Sequence, residues 1–490
     1  MGWASVYAEK LGTSFDEMVT ADGDAREGAA DVLDRLEAIG ADLWERQRAA
    51  ETAIRSMGVT FTLYSSEGNI DRSWPVDVIP RIITLDEWSR VSAGLVQRLT
   101  ALNAFIDDLY HDQRVIADGI VPLELLADSP NYRAACLGAT VRGGVWAHIS
   151  GSDLVRDGAG RFHVLEDNLR IPSGVSYMLE NRQVSKRVFA DLFRDLDILP
   201  VDGYTQQLRR HLEALSPRPG DEPVVVVLTP GVYNSAYYEH VLLAARMGAH
   251  LVEGSDLVVE DEAVHMRTVT GLVRVDVIYR RVDDLFLDPE VFLEDSALGV
   301  PGLMRAWRSG NVAIANAPGA GVADDKVVYS YVPDLIRYYL GEDPLVPNVE
   351  TWRCVEPAHR SHVLANLADL VVKPANEAGG KGVVIGPHAS AAELDAVRRE
   401  IEHDPRNWIA QPTLDLSTAP TICNETIAPR HLDLRPFILS GDEPYVSVGG
   451  LTRVALQEGS LIVNSSQGGG SKDTWIVDHH TRPNPEIVLD

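Results

Sequence analysis

Apolar residues recur at helical spacing through the first quarter of the chain. Residues 1–60 carry this pattern among many charges, for example across Ala29–Ala50. It continues to about Leu126, with Leu95, Leu99, Leu102, Phe105, Ile106 and Leu109 at helical spacing. These six predict one buried helix face. A β-rich patch follows: Val145–Ile149, Ser152–Val155, a turn at Asp157-Gly158-Ala159-Gly160, then Phe162–Leu165. It reads as a hairpin. Helices are expected from there to about Leu215. Ser216–Pro223, rich in proline and charge, reads as a linker. Beyond it Val224–Leu228 predicts a strand, Glu239–Arg246 a helix and Leu251–Gly254 another strand. Strand–helix–strand order with short connections predicts a parallel, doubly wound α/β unit running to about Pro318. After Asp324-Asp325-Lys326 the pattern returns to helices, then to strands. The fold class read from the chain is α/β, with an N-terminal helical region.

Composition changes this picture little. The chain has 490 residues, 45% apolar and 24% charged, which suits two to four soluble domains. No apolar run reaches the ~18 residues of a membrane span. Met1–Ser5 lacks the basic-then-apolar order of a signal peptide. Three widely spaced cysteines, Cys136, Cys354 and Cys423, fit a reducing cytoplasm and make no zinc pattern. The formal charge of −28 disfavours nucleic acid and anionic membrane as partners. A phosphate site in such a chain must gather its cations locally.

Two segments carry candidate chemistry. Val371-Val372-Lys373-Pro374-Ala375-Asn376-Glu377-Ala378-Gly379-Gly380-Lys381-Gly382-Val383-Val384-Ile385 reads as a strand ending in lysine, a glycine loop and a second strand. Gly379, Gly380 and Gly382 let backbone N–H groups approach a ligand, and Lys373 and Lys381 bracket them with positive charge. A polyphosphate cradle fits this pattern; a bare hairpin with a flexible turn is the alternative. The second segment is Glu166-Asp167-Asn168-Leu169-Arg170. Alternation sets Glu166, Asn168 and Arg170 on one face and Asp167 on the other, and the hairpin length brings Asp153 opposite Glu166. Two carboxylates and an amide oxygen form a hard oxygen site for Mg²⁺. A salt-bridge cluster using Arg170 is the competing reading.

Together these segments resemble the ATP-grasp superfamily, which includes D-alanine–D-alanine ligase, tubulin tyrosine ligase and glutathionylspermidine synthase. In that superfamily the lysine strand and glycine loop precede the Asp…Glu-x-Asn set. Here Asp153, Glu166 and Asn168 come before Lys373, as in circularly permuted ATP-grasp proteins. Val164–Tyr177, His431–Phe437 and Ser465–Trp475 carry the resemblance most specifically. It implies a permuted ATP-grasp fold with a metal-binding segment at 141–215, a Rossmann-like unit at 220–322 and a nucleotide-binding part at 323–490, after a mainly helical region at 1–140. It also implies ATP contacts from Lys326, Lys373, Gly379, Gly380, Lys381 and Gly382. Gln411 would lie at the adenine hinge Trp408–Pro412. Asp153, Glu166 and Asn168 would hold Mg²⁺, and Arg435, with Arg453 and Arg170, would stabilise charge during transfer. The second glycine loop, Gln467–Lys472, would serve substrate or phosphate.

The activity implied is an ATP-dependent carboxylate–amine ligase acting through an acyl phosphate on small-molecule or peptide substrates. A phosphotransferase and a silent nucleotide-binding regulator stay open as alternatives. Tyr279-Arg280-Arg281 is read as a carboxylate-binding or surface salt-bridge segment. Glu239-His240 has no metal-like partner in the sequence, and no residue marks itself as the base for the amine.

Overall fold

The computed structural model describes residues 2–65, 68–127, 129–376, 381–423, 426–461, 463 and 469–478. Its centre is a nine-stranded sheet. The order across it is Tyr445–Val446, Phe437–Leu439, Ile149–Arg156, Thr426–Arg435, Leu451–Val454, Gly470–Val477 and Val76–Thr84. Phe162–Asn168 pairs onto Ile149–Arg156, and Thr418–Cys423 onto Thr426–Arg435. All these pairs are antiparallel except Gly470–Val477 with Val76–Thr84.

Val76–Thr84 interrupts the helical pattern expected up to Leu126. Asp77 and Arg81 break its apolar run, yet both are buried, because each has a charged partner inside the fold. Arg81 forks onto Glu17 at 2.6 and 2.7 Å, and Asp77 pairs with the Lys472 ammonium. A buried charge survives only when so compensated.

The helix Leu85–Tyr110 starts where the Thr84 hydroxyl accepts from the Glu87 amide, an N-cap at 3.3 Å. Its predicted face is in the core: Leu95, Leu99, Leu102, Phe105, Ile106 and Leu109 are all at most 1% exposed. That core also takes in the inner face of the helix Lys326–Leu340. The expected α/β unit is present. Ala313–Ala315, Val277–Arg280, Val225–Leu228 and His250–Val252 form a four-stranded sheet in that order, all parallel. The helix Tyr237–Met247 connects the last two.

The lysine strand lies in a separate four-stranded antiparallel sheet, in the order Trp352–Arg353, Trp408–Pro412, Leu370–Pro374, Val384–Ile385. It has its own small core of Val363, Leu367, Leu370, Val372, Val397 and Ile401, supplied partly by the helices Pro357–Ala365 and Ala391–His403. The latter begins with a Ser390–Glu393 capping box. This sheet joins the rest through the Lys326 amide, which donates to the Ala375 carbonyl at 3.1 Å, and through the buried Asp325–Arg406 pair at 2.5 Å. No helix among the described residues is long and apolar enough to cross a membrane. All three cysteines are free.

Candidate active site

The hairpin Ile149–Arg156/Phe162–Asn168 has the expected register: Asp153 sits opposite Glu166. One detail is not legible in the sequence. The register shifts between Asp153 and Leu154, so that Leu154 faces Val164 and Leu165 is an extra residue. A bulge re-aims side chains, and here both Leu165 and Glu166 line the same cleft. Asp167 points to the opposite face, where Arg98 grips it through Nε and Nη2 at 2.6–2.9 Å and the Ser152 hydroxyl donates at 2.8 Å. The carboxylate strand is thereby fastened to the long helix from behind.

The cleft lies between the nine-stranded sheet and the lysine sheet, with about 1080 Å³ of empty space including its open mouth. Val349, Val371, Ile385, Leu414, Leu461 and Val463 give it apolar walls. Asp153, Glu166, Lys326, Lys373, Lys381, Gln411 and Arg453 all line it, so seven of the expected residues are brought together.

Arg435 reaches the same place from the neighbouring strand. It forks onto Asp153 at 2.5 and 2.7 Å and lies 3.8 Å from Glu166. Arg453 donates to Asp153 at 2.6 Å and holds Asp433, its cross-strand partner, at 2.5–3.1 Å. Burial pushes the Asp153 carboxyl up, but the facing Arg435 and Arg453 guanidiniums outweigh it and hold Asp153 well below the usual carboxylate range. Burial raises Asp433, and its pairing with Arg453 offsets that only in part.

On the other wall Lys326 lies 3.7 Å from Glu166, and the Lys373 ammonium donates to Gln411 Oε1 at 2.6 Å. The Gln411 amide in turn donates to Thr351 at 3.0 Å. Desolvation lowers Lys373 to about 8, with Lys326 adding to the effect and Glu166 and Asp153 opposing it.

Other expected residues sit differently. Asn168, on the carboxylate strand, donates its amide to the Gly151 carbonyl at 3.2 Å and does not line the cleft. Arg170 is turned away from the carboxylates: it pairs with Asp283 at 3.0 Å and Asp324 at 3.3 Å. The strand ends at Asn168, so the alternation that placed Arg170 beside Glu166 no longer holds two residues later. Gly382 has φ +73, where a Cβ would also press on Pro374 at 3.1 Å. Gly379 and Gly380 lie outside the described residues, as do Gln467 and Gly468 of the second glycine loop. Lys472 of that loop is inside the large sheet, bonded to Asp77 and to the Ile79 and Pro420 carbonyls, so it presents no charge to a ligand. Arg280 and Arg281 are buried rather than on the surface; they pair with Asp284 at 2.7 Å and Glu239 at 3.0 Å.

Asp433 is the cleft residue given no role by sequence. Its signal was alternation, which puts it on one strand face with Arg435. Two carboxylates beneath guanidiniums, facing lysines across an apolar slot, can hold a divalent cation and a polyphosphate whose apolar base lies in the slot. Among the described residues no cluster of three or more His, Cys, Asp and Glu forms a metal cage.

Comparison with known proteins agrees with this geometry. The profile of the family described as "Circularly permuted ATP-grasp type 2" matches residues 80–455. "Uncharacterized protein sll0335" of Synechocystis is 54% identical over 96% of this chain and 98% of its own length. A Frankia alni protein named "Putative glutamate--cysteine ligase 2-3" is 45% identical over 94% of this chain, which spans only 54% of that longer protein. Among solved structures, a glutathione synthetase-like effector from Globodera pallida in apo form superposes with a TM-score of 0.54 over 89% of this chain and 97% of its own, at 11% identity, a likeness of fold alone. With the carboxylate hairpin ahead of the lysine strand and one family profile covering most of its length, the chain belongs to the circularly permuted ATP-grasp family, type 2, and is an enzyme of the ATP-grasp ligase class.

Proposed function

We propose that this enzyme is an ATP- and Mg²⁺-dependent carboxylate–amine ligase that forms a peptide-like bond through an acyl phosphate. The observation that carries the reading is the facing of charges across the cleft: Asp153 and Glu166 in register under Arg435, with Lys326 and Lys373 opposite. The Frankia relative's printed name supports a ligase acting on a carboxylate and an amine, although that protein is nearly twice as long as the matched region.

A carboxylate is a poor electrophile. Moving the γ-phosphoryl group onto its oxygen, with ADP leaving, turns that oxygen into part of a good leaving group. An amine then attacks the acyl carbon, loses a proton and expels phosphate. The protein's work in such a reaction is positioning and charge neutralisation. Lys326 and Lys373 would hold the α- and β-phosphates, and the apolar slot with Gln411 at its edge would hold the base. Arg435 would face the γ-phosphate, and Arg453, fixed by Asp433, would keep its charge beside it. Asp153 and Glu166 are the cleft carboxylates that would hold Mg²⁺, whose chemistry is to screen phosphate charge. Lys381 and Gly382 would lie against the phosphates and help exclude water. The parallel unit at 220–322 is the natural source of substrate contacts, because ligands of such sheets bind at the carboxyl ends of the strands.

Thermal melting with and without Mg-ATP tests the nucleotide assignment. At ~100 times Kd the ligand adds about 2.7 kcal/mol. The shift should be present in wild type and lost or weakened in Glu166→Gln and Lys373→Ala. Phosphate release from paired acids and amines then separates outcomes: an amide with free phosphate supports the ligase, whereas a phosphorylated acceptor overturns it in favour of a phosphotransferase. No wild-type shift at millimolar ATP, with or without candidate substrates, refutes both.

A further inference from the structure

Asp153 is 1% exposed and both its oxygens are taken. Oδ1 accepts from Arg435 Nε at 2.5 Å, and Oδ2 accepts from Arg435 Nη2 at 2.7 Å and Arg453 Nη2 at 2.6 Å. The two arginines are not held alike. Arg453 stands between two buried carboxylates, with Nε 2.9 and 3.1 Å from the Asp433 oxygens. Were it to release Asp153, Asp433 would still compensate it. Arg435 has weaker alternatives: the Ser173 carbonyl at 3.3 Å and Glu166 at 3.8 Å. Its aliphatic stem lies over Gly151, where an added Cβ would come within 3.3 Å of Cγ and Cδ, so the guanidinium is carried at the end of a stem resting on bare backbone.

The charges set the consequence. Three carboxylates (Asp153, Glu166, Asp433) stand among five basic side chains (Arg435, Arg453, Lys326, Lys373, Lys381). A bare divalent cation adds positive charge to this set. To reach Asp153 it must also take a buried carboxylate from a guanidinium, and stripping a buried charge of its partner is costly. A polyphosphate changes both conditions. It brings negative charge, and its oxygens accept the same forked pair of N–H bonds that Asp153 now accepts.

Resting on the nucleotide reading above, we propose that Arg435 is a built-in counterion that occupies the metal-binding face of Asp153 and exchanges this carboxylate for phosphate oxygens when nucleotide enters. Cation and nucleotide therefore bind as a unit, and the cation alone binds weakly because an arginine competes with it. Arg453 stays with Asp433 throughout and supplies the fixed charge.

The test uses Mn²⁺ as probe and the full chain, following the free Mn²⁺ signal by electron paramagnetic resonance with and without a non-hydrolysable ATP analogue. Arg435→Gln removes the competing charge, so without nucleotide it should bind Mn²⁺ at least about tenfold more tightly than wild type, close charge pairs commonly coupling by that much or more. Arg435→Lys keeps a charge in place and should stay close to wild type. With the analogue the advantage of Arg435→Gln should vanish or reverse, because the phosphates have lost their arginine. A merely structural role for Arg435 would weaken metal binding in both conditions. Bare Mn²⁺ bound no more tightly by folded Arg435→Gln than by wild type overturns the proposal, while loss of analogue-dependent Mn²⁺ binding in Asp153→Asn still upholds the metal site. Undiminished Mn²⁺–analogue binding in Asp153→Asn overturns the metal assignment and the proposal with it.

Discussion

With Lys373 on the phosphates, as proposed, nucleotide affinity should depend on pH. In the free protein desolvation holds its ammonium at about 8. Phosphate oxygens favour the charged form, so bound nucleotide returns its pKa towards or above the ordinary lysine value of about 10.4. Between those limits, binding must first put a proton on the fraction of molecules whose Lys373 is neutral. That fraction is about a tenth at pH 7 and about nine-tenths at pH 9, so affinity should fall about tenfold over this span, or ~1.4 kcal/mol. The sign is fixed: binding takes up a proton, and rising pH weakens it. Calorimetric titration of an ATP analogue with Mg²⁺ at pH 7, 8 and 9 measures the slope, and repeating it in buffers of different ionisation enthalpy counts the proton. Lys373→Arg is the control, because a guanidinium stays charged throughout and the nucleotide's own titration is common to both proteins. An affinity that is flat in wild type, or that declines equally in Lys373→Arg, refutes the assignment of the ammonium to the phosphates.

Further expectations concern both site and fold. Arg81→Ala leaves Glu17 buried with only Arg156 at 3.3 Å and Ser417 nearby, and should cost ~3–5 kcal/mol in urea unfolding. The double variant Arg81→Met/Glu17→Leu should recover much of that loss, and equal instability of the two would show that the charges are not the cause. At Gly299 a Cβ would meet the Phe286 carbonyl oxygen at 2.1 Å, whereas at Gly220, φ +96, it meets nothing within 4 Å. Gly299→Ala should therefore impair folding outright, while Gly220→Ala should cost only about 1 kcal/mol, seen as a small change in melting temperature. Arg98→Ala strips Asp167 of its fork behind the carboxylate strand and should lower stability by ~3–5 kcal/mol and loosen the metal site, read as a weaker Mn²⁺ signal in the presence of nucleotide.

The sequence was most legible where a local pattern decides the geometry. Strand alternation and hairpin length sufficed to set Asp153 opposite Glu166. The alternation of Val371–Lys373 with Val384–Ile385 sufficed to put a lysine at the end of a paired strand. Helical spacing found the buried face of Leu85–Tyr110. What the sequence concealed depends on distant partners. Asp77 and Arg81 look like surface charges until Lys472 and Glu17 arrive from the far side of the fold. The same partner explains Lys472, which a glycine-rich loop suggested for phosphate and which the sheet uses for Asp77. Arg170 was misplaced because a two-residue repeat was extended past the strand end, where Asp283 and Asp324 capture it. The Leu165 bulge has no sequence mark at all. The Arg453–Asp433 pair became visible only with the cross-strand register, which sequence spacing cannot supply.

The strand Ile149–Arg156 pairs along one edge with Leu434 and Phe437–Leu439, so its carboxylate meets its arginines across 282 and 300 residues of chain. During synthesis the hairpin leaves the ribosome long before either arginine exists. Until the last strands emerge, Asp153 must wait without its partners, and one long edge of that hairpin lies open to pairing with another chain. Contacts of this sequence separation form slowly and expose unpaired edges meanwhile. The arrangement that brings the charges together thus makes completion of the site wait for the chain as far as Arg453. Chains stopped before about residue 454 should be aggregation-prone clients of chaperones rather than partly active enzymes.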